Sequence, residues 1–116
     1  MTDKLFIERF IESASKNSGK TAICNSDGST VSYKELLDAS RKVARVIRLR
    51  GIQPQSPVII LLGRHSEYVA CYLGVLMAGN VAIPLSSAFP KERVKEIAED
   101  CNASCTISDY EENTHL

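Results

Sequence analysis

YVACYLGVLMAGNVAIPLSSAFPKER, residues 68–93, is the stretch whose reading decides the fold. From position 68 to 78 no charged side chain appears, so a helix here has no wet face and is expected to be buried all round. Gly79-Asn80 then supplies a left-handed C-cap. Residues 81–83 read as a short buried strand, which Pro84 ends because proline cannot donate to a ladder. Pro90 restarts a helix at its first turn, where a missing N–H is of no consequence.

On the N-terminal side of this stretch, PVIILL (residues 57–62) is a continuous apolar run, the signature of a strand covered on both faces in a parallel sheet. Residues 63–67 join it to the central helix. Open α/β sheets bind ligands beyond the carboxyl ends of their strands, and helix N-termini attract anions. Arg64, His65 and Ser66 are therefore candidate ligand contacts, against the plainer role of capping the helix. On the C-terminal side, residues 90–100 form a helix with Val94, Ile97, Ala98 and Cys101 on its dry face and Lys91, Glu92, Lys95, Glu96 and Glu99 on its wet one. Residues 103–108 are the last strand, and the acidic tail 109–116 is expected to be loose. From residue 57 onward the tally is strand, helix, strand, helix, strand: a right-handed parallel βαβαβ unit of the α/β class.

Three elements precede this unit. Residues 4–15 place Phe6, Ile7, Phe10, Ile11 and Ala14 at helical spacing, the dry face of an amphipathic lid helix. Residues 21–24 and 30–32 pair as a small hairpin about Asp27-Gly28. Ser18-Gly19-Lys20-Thr21 invites a phosphate-loop reading, which fails: Ala14 stands where the opening glycine belongs, and the motif follows a helix and opens a strand. Ser32-Tyr33-Lys34-Glu35 is a capping box that starts a second helix, running to about Arg50 and closed by Gly51. Leu36, Ser40, Val43, Ala44 and Ile47 share one face of it. Arg41, Arg45 and Arg48 share another, read as a solvated stripe balanced by Glu35 and Asp38 rather than as a phosphate contact.

The 116 residues fit a single domain, 1–116, with a core of modest size. Zero formal net charge argues against a nucleic-acid footprint or a polybasic membrane anchor. Cysteines 24, 71, 101 and 105 include no C-x-x-C pair, which reads as buried reduced thiols and not as a metal or disulfide framework. Acids within the apolar N-terminus exclude a secretory signal, and no apolar run spans a membrane without crossing Gly79-Asn80 and Pro84. A cytoplasmic location is expected.

At this point several motifs fall in a familiar order. VSYKEL (residues 31–36), carrying Tyr33, Glu35 and Leu36, resembles the first core motif of adenylation enzymes. LMAGNVAIPL (residues 76–85), carrying Gly79 and Pro84, resembles their second, and FPKER (residues 89–93), with Pro90, Glu92 and Arg93, fits the same register. The chain thus resembles the N-terminal part of the AMP-forming ligases, leaning toward the amino-acid-activating domains of nonribosomal peptide synthetases. The resemblance covers about residues 20–108. It implies a parent enzyme that joins a carboxylate to ATP with Mg²⁺, releases pyrophosphate and passes the acyl group to a thiol.

The motif residues are implied to be scaffold, with no catalytic, cofactor or metal residue in this segment. The family's phosphate loop, adenine and ribose motifs and catalytic lysine all fall later than the sequence reaches. Ser86 stands where amino-acid-activating members often carry aspartate. The expectations are a scaffold inactive by itself, completed by the rest of an adenylation enzyme or self-associating as a dimer through uncovered surface. The alternative is a free-standing α/β binding or interaction module that takes a phosphate-bearing ligand or pairs with another chain.

Overall fold

The computed structural model describes residues 2–62 and 66–108. Helix α1 (Thr2–Lys16) leads into the hairpin β1 (Thr21–Cys24) and β2 (Thr30–Ser32), which forms a separate antiparallel sheet. Then come α2 (Tyr33–Leu49), β3 (Pro57–Leu62), α3 (Ser66–Met77), β4 (Val81–Ser86), α4 (Lys91–Cys101) and β5 (Cys105–Ser108). The three later strands make one parallel sheet in the order β4-β3-β5. The parallel βαβαβ unit expected from the sequence is present, with its first strand in the middle.

Central placement explains why PVIILL carries no polar residue. Val58, Ile60 and Leu62 point into a core shared with Ile47 of α2, Val75 of α3 and Ile107 of β5. Ile59 and Leu61 point the other way, onto Val94 of α4. Strand side chains alternate between faces, so a strand with helices on both sides must be apolar at every position. A further layer lies beyond α2 and α3, where Ile7 of α1 meets Leu36, Ala70 and Leu73.

Local signals set the helix ends. The capping box is formed: Glu35 N–H donates to Ser32 Oγ at 3.1 Å, and Ser32 N–H donates to Glu35 Oε1 at 2.9 Å. Tyr33 and Lys34 N–H donate to the carbonyls of Lys20 and Ser18 at 2.9 and 3.0 Å. The turn at Ser18-Gly19-Lys20-Thr21 therefore offers two carbonyl oxygens to a helix start, the opposite polarity to an anion cradle. At the end of α3, Gly79 takes φ +83°. Its N–H reaches Leu76 O at 3.0 Å and Asn80 N–H reaches Val75 O at 3.1 Å, a Schellman closure. Asn80 is buried, and its side-chain amide donates to the carbonyls of Gln53 at 2.8 Å and Ser56 at 3.1 Å, tying the loop before β3 to the end of α3.

Several expectations need correction. The central helix is not buried all round over residues 68–78: Val69 of α3 is exposed. Strand β4 does not end at Pro84 but runs through it to Ser86, with Pro84 opposite Ile60 and β4 only partly buried. An edge strand has one side without partners, so a residue lacking an N–H is tolerated there. Pro90 is the N-cap of α4 and not its first helical residue. Phe6 is half exposed, and α1 buries Ile7 and Ala14 instead. Cys24 is exposed, while Cys71, Cys101 and Cys105 are half-buried, and all four are free thiols.

Asp38 balances the arginine stripe of α2 only in part: Lys34 foremost, and Arg41 after it, hold its exposed carboxyl below the usual range. Asp38 pairs with Lys34 at 2.9 Å and Glu35 is committed to the cap. Arg48 Nη2 donates to Met77 O at 2.7 Å, placing its charge where the carbonyls at the end of α3 need one. The tail 109–116, expected to be loose, lies outside the described residues, and no helix among those described is long and apolar enough to cross a membrane.

Candidate functional site

A cleft of about 780 Å³ opens at the carboxyl ends of β3 and β4, where open parallel sheets place their ligands. Its floor is Leu62, the last residue of β3, together with Pro84, Leu85 and Ser86 at the end of β4. Tyr68 and Val69 of α3 form one wall, and the start of the hairpin loop, Cys24, Asn25 and Ser26, forms the other. Exposure of Val69 within an otherwise covered segment of α3 thus has a local reason: it faces this cleft.

Each wall is held by short-range bonds. In the hairpin loop, Asn25 N–H donates to Ser29 O at 2.8 Å and Gly28, at φ +90°, donates back to Asn25 O at 3.0 Å. Ser29 supplies both its hydroxyl and its N–H to Asp27 Oδ1, which holds that exposed carboxyl below its usual range. At the end of β4, Ser86 Oγ accepts from Ala88 N–H at 3.1 Å and Ser86 O accepts from Phe89 N–H at 3.1 Å. This is a serine-nucleated turn. Burial, and secondarily Tyr72, pushes the Tyr68 phenol above its ordinary value, so it stays a neutral hydroxyl near neutral pH.

The lining of the cleft is apolar with thiol, amide and hydroxyl groups, and none of its described residues is ionic at neutral pH. Among the described residues no three His, Cys, Asp or Glu side chains converge to hold a metal. A triphosphate with its magnesium needs cations, an N–H cradle and carboxylates. The described residues of the cleft do not offer that donor set.

The sequence-derived candidates are not brought together. Arg64 and His65 lie outside the described residues, and Ser66 is the first residue of α3, half-buried. Of the motif stretches, only the end of LMAGNVAIPL, at Pro84 and Leu85, is found among the described lining of the cleft. Tyr33, Glu35 and Leu36 build the start of α2, Gly79 closes α3, and Pro90, Glu92 and Arg93 begin α4, with Arg93 paired to Glu96 at 3.8 Å. Cys24, Asn25 and Ser26 were not legible as site residues, because only the packing of the hairpin against α2 and α3 carries them over the strand ends.

Fold and cleft together define an open parallel α/β protein with helices on both faces of its sheet. The chain belongs to the family of AMP-binding enzymes, whose family model matches residues 10–116. It is 35% identical over 108 residues to bacitracin synthase 3 of Bacillus licheniformis, covering 93% of this chain and 2% of that protein. Against surfactin synthase subunit 1 of Bacillus subtilis (strain 168) it is 34% identical over 107 residues, covering 92% of this chain and 3% of the relative. The chain therefore spans only 2–3% of the length of these relatives.

Among solved structures, the AMPPNP-bound form of the nonribosomal peptide synthetase FmoA3 superposes with a TM-score of 0.85 at 26% identity, covering 95% of this chain and 12% of that one. The N-terminal subdomain of NpsA from Klebsiella oxytoca, in complex with 3-hydroxyanthranilyl-AMSN, shares the fold at TM-score 0.81 and 24% identity, over 94% of this chain and 28% of that one. The chain is thus similar to the N-terminal part of nonribosomal peptide synthetase adenylation domains over most of its length.

Proposed function

We propose that these residues are the opening scaffold of an AMP-forming ligase that activates a carboxylate, an amino acid in this branch, as its acyl adenylate at the expense of ATP. The observation that carries this reading is the family match over residues 10–116, together with motif residues that sit at helix starts and stops. The scaffold orients a sheet and supplies no adenylation chemistry by itself, a reading supported by the uncharged character of the described residues that line its cleft. ATP and Mg²⁺ belong to the parent enzyme, and the location is cytoplasmic.

The remainder of an adenylation enzyme is the natural cover for the open edges of the sheet, with a second copy standing in when that remainder is missing. Carboxylate-dependent pyrophosphate exchange tests the reading. The chain alone is expected to give none, and the chain joined to a complete adenylation domain is expected to give exchange. Exchange by the chain alone would place the active centre within these residues and sink the scaffold reading.

A second reading is favoured by the cleft itself: a binding module for a small ligand at the carboxyl ends of β3 and β4. Titration calorimetry of the chain with AMP, ATP and CoA separates the two. Saturable heat from any of them supports the module, and silence with all three supports the scaffold.

A further inference from the structure

We draw no further inference here: the strongest candidate, the hollow of about 320 Å³ between α4 and β5 lined by Leu61, Val94, Thr106, Lys91 and Lys95, carries nothing because nothing in the structure shows what covers it.

Discussion

Gly74 shows what a single residue can hold open. A Cβ built there would stand 2.5 Å from Val43 Cβ and 2.7 Å from Ser40 O, so α2 and α3 touch through backbone and first side-chain atoms. Ser40, wholly buried opposite, avoids an orphan hydroxyl by donating to Leu36 O at 2.7 Å. On propensity alone Gly74→Ala favours a helix by about 1 kcal/mol. Here it is expected to destabilise the fold by about 1–3 kcal/mol in urea unfolding, because overpacking must push the helices apart. Trimming Val43 to Ala should not rescue it, since the Val43 Cβ and the Ser40 carbonyl remain. Ser86 invites the converse test. Aspartate makes the same two-residue side-chain turn more strongly than serine does. Ser86→Asp is therefore expected to leave the unfolding midpoint unchanged or raised, and Ser86→Ala to lower stability by about 1 kcal/mol.

At the scale of elements, strand and helix ends are where the chain spends its polar groups. Asn80 joins the closure of α3 to the loop before β3, and its two donated bonds act beside the backbone bond from Gln55 N–H to Gly79 O at 2.8 Å to hold residues 53–56 in place. Asn80→Ala is expected to cost about 1–3 kcal/mol, because it removes two partly buried hydrogen bonds and leaves the Gln53 and Ser56 carbonyls one backbone donor each, and to raise amide exchange first in the loop before β3. Strand β4 illustrates how position overrides propensity. Read locally, Pro84 ends a strand; in the sheet, β4 lies at an edge and the pairing continues to Ser86. Likewise the charges on α2 looked self-balancing in one dimension. In three dimensions Asp38 and Glu35 are already engaged, and Arg48 serves a neighbouring helix.

For the molecule as a whole, two properties follow from how the layers cover one another. Burial, and secondarily Glu67, pushes the Cys71 thiol up to about 11 from an ordinary value of 9. The folded state therefore holds a proton that the unfolded chain releases from pH 9 upward. This contribution is fully present below pH 9 and is lost as pH rises through about 11. Urea midpoints should fall across that window, and fall less in Cys71→Ala. The second property is the sheet margin. Among the described residues Pro84 guards the β4 side, while β5 presents Cys105, Thr106 and Ile107 with neither proline nor charge. Concentration-dependent self-association is expected in light scattering, and a mass that stays monomeric at high concentration would remove that expectation.

The sequence by itself determined the elements and their order, because those depend on short-range patterns. The apolar run of β3, the capping box at Ser32 and the glycine stop at Gly79 each act within a few residues, and the motifs of VSYKEL and LMAGNVAIPL already pointed to the adenylation fold. Only the tertiary structure decided that β3 lies between β4 and β5, that Gly74 sits against Ser40 and Val43, and that the hairpin loop closes a cleft over the strand ends. The reason is that strand order, close approach and cleft walls join residues far apart in the chain, and a local pattern of dry and wet positions carries no information about which distant surface covers which.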